Sequence, residues 1–219
     1  TSKPIHIQSL MALLQVLFLG IALSPFARGE NQPPQRPCPL DADVWILRGQ
    51  SNMFGVGRLK GKDPAPQDPR ILAFNMNNEW MIARDPLHRM FEAVYPAHYN
   101  VHMEPYKKMN DPQKLKEAAA QWNEFLASTK AWAAMGIGIG PGLPFARHLI
   151  KYTGRPVGLI PCAHGGTSMP QWDRASLSEG DASLFGAMNA RAKMVGDGKK
   201  IKGLLWYQGE SDALATPEQ

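Results

Sequence analysis

What this sequence lacks narrows its chemistry first. Basic residues outnumber acidic ones only 24 to 19, and they are scattered. No basic block and no basic stripe with interleaved aromatics is present, which argues against nucleic-acid binding. The one long apolar run, Leu10 to Leu23, is too short and too weakly flanked for a stable membrane span. No Gly-x-Gly-x-x-Gly occurs: the glycines of Gly136-Ile137-Gly138-Ile139-Gly140-Pro141-Gly142 follow a helical pattern and not a strand, so no dinucleotide cofactor is expected. Cysteine is nearly absent, with Cys38 and Cys162 alone. Cys38 precedes the first strand pattern and Cys162 ends another. In parallel strands the two would lie about a strand length, ~17 Å, apart, whereas a bridge needs Cα atoms within about 7 Å. A Cys38–Cys162 disulfide is not expected.

What is present reads in three parts. Residues 1–29 have the order of a signal peptide: Lys3 and His6, then Leu10 to Leu23, then the small residues of Ser24-Pro25-Phe26-Ala27-Arg28-Gly29. Their removal takes away two basic residues and no acidic ones, leaving 22 against 19, a net +3. Residues 30–41 hold Pro33, Pro34, Pro37 and Pro39 and read as an extended Pro-rich leader. Residues 42–219 form one domain, long enough for a single large core.

Along that domain, Val44 to Leu47 is a short buried strand. The stretch from Gly55 to Pro69, rich in Gly and Pro, is a long irregular loop. Ile71 to Asn75 and Glu79 to Ala83 pair as a hairpin across Asn77-Asn78. Asp111-Pro112 starts an amphipathic helix through Leu115, Trp122 and Phe125, whose aromatics are assigned to the core. Pro144 opens a helix that Gly154 caps. Val157 to Pro161 is a strand, Leu184, Met188 and Val195 mark a helix, and Ile201 to Tyr207 is a strand. Strands alternating with helices imply an α/β fold, a parallel sheet with helices on both faces.

Three of these strands end in polar residues beside glycine. In an open parallel sheet, ligands bind outside the carboxyl ends of the strands, so Ser51, after Gly49 and Gln50, stands where a nucleophile would. Ser and Asn at this point also suit a plain turn or helix cap. A serine esterase needs a nucleophile, a base and N–H donors aimed at the oxyanion. Ser51 can supply the first and its backbone N–H one donor. Gly165 or Gly166 suits another, because a residue without Cβ lets substrate approach the backbone. From the third strand end Gln208 can donate and Glu210, when ionised, cannot. Gln208 is the oxyanion candidate, and Glu210 orders a loop or binds a hydroxyl.

Three blocks carry a resemblance: Gly49-Gln50-Ser51-Asn52-Met53; Pro161-Cys162-Ala163-His164-Gly165-Gly166-Thr167-Ser168 with Gln171-Trp172; and Trp206-Tyr207-Gln208-Gly209-Glu210-Ser211-Asp212. Together they resemble the sialate O-acetylesterase-like carbohydrate esterases of the SGNH hydrolase superfamily, the plant members above all. The resemblance implies a flavodoxin-like three-layer α/β/α sandwich and metal-free, cofactor-free removal of acetyl groups from carbohydrates. It implies Ser51 as nucleophile, Gly165 as oxyanion backbone donor, and the Gln208 block where the superfamily usually has an oxyanion Asn. Gln50, Asn52, Gly166, Thr167, Trp172 and Glu210 are then expected to bind substrate. The family carries an Asp-x-x-His block near its carboxyl end that supplies the base, and this chain has none, so the domain is expected to be truncated and inactive by itself. Of its own histidines, His148 falls mid-helix, His88, His98 and His102 fall in loop-rich stretches, and His164 alone lies at a strand end. A catalytically dead sugar-binding protein on the same fold is the alternative.

Overall fold

The computed structural model describes residues 38, 39, 41–58, 67–196 and 201–214. The expected signal peptide and most of the Pro-rich leader lie outside them. In chain order the elements are β1 (Asp43–Gly49), α1 (Ser51–Phe54), β2 (Gly57–Arg58), β3 (Ile71–Phe74), β4 (Trp80–Ile82), α2 (Pro96–Lys107), α3 (Pro112–Ala134), β5 (Ile137–Ile139), α4 (Gly142–Thr153), β6 (Val157–Pro161), α5 (Leu184–Gly196) and β7 (Ile201–Tyr207). Short 3₁₀ turns include Met169–Trp172 and Arg174–Ala182.

The main sheet has the order β4-β3-β6-β1-β7. β1 is parallel to β6 on one side and to β7 on the other, β3 is parallel to β6, and β4 closes the edge antiparallel to β3. Successive side chains of a strand point to opposite faces, and the two faces are covered differently. Leu47 and Leu159 pack with Trp122 of α3 and Leu143, Ala146 and Ile150 of α4. Val44, Ile46, Ile160 and Cys162 pack with Met188 and Val195 of α5. Helices on both faces make three layers, and each fully buried Leu or Ile stabilises them by roughly 1.5–3 kcal/mol.

Local chemistry fixes the helix ends. Asp111 accepts from the backbone N–H of Gln113 at 3.0 Å and of Lys114 at 3.2 Å, satisfying donors that a first turn leaves orphaned. Gly154 ends α4 in the left-handed conformation, φ 67°. Cys38 and Cys162 are both buried and are not joined in a disulfide.

The stretch around His98 and His102 corrects a sequence expectation. It is not loop but the helix α2, which Pro96 opens at its first turn, where a missing N–H costs nothing. Pro105 and a run of polar residues hide its periodicity.

Candidate active site

The three motif loops meet at the carboxyl edge of the sheet. β1 ends at Gly49, opposite Tyr207 of β7. There φ is +142° and a Cβ would stand 1.9 Å from Tyr207 O. Only glycine fits, and the two chain ends close to contact. Gln50 N–H donates to Tyr207 O at 3.0 Å, and Ser51 follows as the first residue of α1, half-buried. No described residue hydrogen-bonds the Ser51 hydroxyl, and its backbone N–H, at the start of a helix, has no acceptor among the described residues.

The second loop is pinned from below. Cys162 N–H donates to Leu47 O at 2.8 Å and His164 N–H to Gly49 O at 3.0 Å, so β1 carries both the Ser51 turn and the start of this loop. Gly165 and Gly166 are exposed, nothing lies within 4 Å of where their Cβ atoms would be, and Gly166 has φ +73°. Their N–H groups bond no described residue, which leaves them available as donors of the kind an oxyanion needs.

The third loop corrects the expected role of Gln208. Its amide donates to Thr167 O at 2.6 Å and to Gln50 Oε1 at 3.0 Å, with Asp212 Oδ2 at 3.4 Å. An amide NH₂ has two hydrogens, and both are spent within the protein. Gln208 therefore ties the three loops together in place of facing an oxyanion. Gln50 Oε1 also accepts from Ser211 N–H at 3.2 Å. Asn52, beside Ser51, donates to Glu210, which links the third loop to the Ser51 turn. Asp212, which the sequence did not single out, accepts from Met169 N–H at 2.8 Å.

Three expected substrate contacts lie beneath the surface. Trp172 is 1% exposed and Thr167 0%; Trp172 Nε1 donates to Thr167 Oγ1 at 3.0 Å, and Thr167 Oγ1 donates to His164 O at 2.9 Å. Gln50 is buried too. These residues form the floor of the site. Trp172 is an expected substrate contact, but its indole N–H finds a buried partner and the ring goes inward. Arg48 stacks beneath it, donating to Trp172 O at 2.6 Å, with its guanidinium 4.3 Å from the Trp206 ring centroid.

His164 is engaged as well. Its Nδ1 lies 2.9 Å from His98 Nδ1, so one ring donates and the other accepts, and the rings stack at 5.1 Å. Burial pushes His164 down to about 4 and, with His164 and Arg191 nearby, holds His98 well below the usual range. His88 is buried against Phe54 O at 3.0 Å and pushed down to about 3. No described histidine hydrogen-bonds Ser51. A cavity of about 610 Å³ lies elsewhere, between α3, α4 and the segment after β4, and none of the expected site residues lines it. Among the described residues no cluster of His, Cys, Asp or Glu could hold a metal ion, and no helix is long and apolar enough to cross a membrane.

A mostly parallel sheet between helical layers is the build of the SGNH-like fold. Residues 41–219 match the carbohydrate esterase, sialic acid-specific acetylesterase family, and the chain belongs to that family of hydrolases. A probable carbohydrate esterase of Arabidopsis thaliana is 30% identical over 193 residues, 85% of this chain. This chain spans 60% of the length of that relative. The crystal structure of an Arabidopsis thaliana protein is similar with a TM-score of 0.51 and 25% identity, covering 80% of this chain and 60% of that one. A carbohydrate acetylesterase from Xanthomonas citri is similar with a TM-score of 0.45 and 20% identity, covering 80% of this chain and 34% of the other.

Proposed function

We propose that this protein is a secreted serine esterase that removes O-acetyl groups from carbohydrates, with Ser51 as nucleophile. The observation that carries this is the Ser51 hydroxyl, half-buried at the end of the central strand and without a described partner, beside the exposed Gly165-Gly166. Ser51 Oγ attacks the acetyl carbonyl carbon, and the carbonyl oxygen becomes an oxyanion held by the backbone N–H groups of Ser51 and Gly165. The sugar hydroxyl leaves with a proton, and water then hydrolyses the acetyl-enzyme. A neutral alcohol is a weak nucleophile without a base, and His164 and His98 are taken up with each other. The base is therefore assigned to an Asp-x-x-His block in a form extended to the length of its relatives, and the present chain alone is expected to be inactive. Secretion follows from the signal-like order of residues 1–29, and a reporter fused behind them should be exported.

Turnover of 4-nitrophenyl acetate and of acetylated glycans by the extended form tests the assignment. Wild type should hydrolyse them and Ser51→Ala should not. Sugar binding by both, with turnover by neither, would favour the catalytically dead alternative.

A further inference from the structure

Arg191 is the least expected residue of the fold. It sits on α5 in the same stripe as Leu184, Met188 and Val195, is 1% exposed, and pairs with no carboxylate among the described residues. A buried guanidinium is costly unless its donors are satisfied. Here backbone carbonyls take up most of them: Nη1 donates to Pro161 O, and Nη2 to Phe74 O and, at 2.6 Å, to Asn75 O, while Nη1 also reaches Met76 Sδ at 3.3 Å and Nε has no described partner.

One of those carbonyls, Phe74 O, needs it because of a proline, whereas Asn75 O also accepts from Asn78 N–H at 3.0 Å. β3 and β6 pair in parallel as Ile71↔Val157, Leu72↔Gly158 and Ala73↔Leu159, with Val157 N–H donating to Arg70 O at 2.9 Å. A parallel ladder repeats this bond every second residue, so the N–H of residue 161 would fall on Phe74 O. Pro161 has no N–H. The guanidinium takes the place of the missing rung and grips both strand ends at once. Immediately after Pro161 comes the loop of Gly165 and Gly166, tied on its other side to Leu47 O and Gly49 O of β1.

We propose that Arg191 is a positioning residue of the esterase site, standing in for the absent Pro161 N–H so that the Gly165-Gly166 loop is held in register with Ser51. Its charge also bears on the buried His98, His88 and Cys162. This role rests on the esterase assignment, and the test separates the two.

Arg191→Lys keeps the charge and loses the planar fork, while Arg191→Met loses both. In the extended protein with 4-nitrophenyl acetate, Arg191→Met should lower kcat by about 10²-fold or more with little change in KM, the scale of losing an oxyanion contact, and Arg191→Lys should fall between. Adding Pro161→Ala to Arg191→Met restores the rung and should recover part of kcat. A folded Arg191→Lys or Arg191→Met within about twofold of wild-type kcat overturns the role. Amide hydrogen exchange at Cys162 and His164, whose N–H groups bond Leu47 O and Gly49 O, reads the same question without activity: protection should fall about tenfold or more in Arg191→Lys, and unchanged protection overturns the role even if wild type and Ser51→Ala turn out equally inactive. If Arg191→Met fails to fold, Arg191→Lys decides alone by both readouts.

Discussion

β6 and β7 flank the same strand, are both apolar, and each end in a loop of the candidate site, yet their surroundings are opposite. Every residue of β6 is buried, between α4 on one face and α5 on the other. No residue of β7 is buried, and Trp206 and Tyr207 are 42% and 49% exposed. Strands of parallel sheets are normally covered on both faces, and contiguous exposed apolar surface marks a site of further contact. The two strands also hold their loops by different means. β6 is locked by packing and by Arg191. The β7 loop depends on polar ties from Gln208, Glu210 and Asp212. The site therefore has a rigid side and a side held by side-chain hydrogen bonds.

The largest effect tests what both sides serve. Ser51→Ala in an extended, active form should lower kcat by about 10⁴-fold or more, as loss of a nucleophile does, with an unchanged unfolding midpoint. Undiminished acetyl-ester turnover would remove the site from both strand ends at once.

Next comes the packing of the rigid side. Leu159→Ala truncates a fully buried β6 side chain between Leu47 and α4 and should cost about 2–5 kcal/mol in denaturant unfolding. A cost under about 1 kcal/mol would mean that β6 is no better packed than its counterpart.

Acid should also act on the rigid side. The folded state holds His164 at about 4 against an ordinary 6.5, so the unfolded chain binds the proton first as pH falls. Stability from this group is complete above pH 6.5 and is lost between there and pH 4, by up to about 3 kcal/mol. Replacing the pair in His98→Gln/His164→Asn should flatten the pH dependence of the unfolding midpoint over that window. An unchanged slope would mean that the pair titrates normally.

The division between what the sequence revealed and what it hid follows the same physics. The strands β1, β6 and β7 were legible because apolar runs ending in Gly and polar residues have few other uses. The motif loops were legible by resemblance, and their convergence on one edge follows from the parallel topology. What stayed hidden was which polar side chains turn inward. Gln208 looks like a donor awaiting substrate, but the nearby carbonyl of Thr167 and the amide of Gln50 compete for its two hydrogens. Trp172 is expected to bind substrate and is buried. Arg191 carried a readable signal, since the spacing from Leu184 through Met188 to Val195 sets it on the apolar stripe. A charged residue there is buried only if it finds partners, and the missing N–H of Pro161 supplied the need.

On the polar side, Gln208→Ala separates a tie from a catalytic donor. Removing the amide strands Thr167 O, at a cost of about 1–3 kcal/mol for a buried group left unsatisfied, while Gln50 Oε1 keeps its bond from Ser211 N–H. A stable Gln208→Ala with kcat reduced by 10²-fold or more, the signature of an oxyanion donor, would return Gln208 to the role its sequence suggested.

The smallest effect is the most discriminating for β7. Leu204 is 37% exposed, so in the present chain Leu204→Ala should change stability by no more than about 0.5 kcal/mol, as at other surface sites. In a form extended to the length of its relatives, the same substitution should cost about 2–5 kcal/mol if added structure packs over β7 as α5 packs over β6. The side chain, its strand and its register with β1 are the same in both proteins, so only the cover differs. An equally small effect in both would mean that β7 stays an open edge, and that the contrast with β6 belongs to the fold itself.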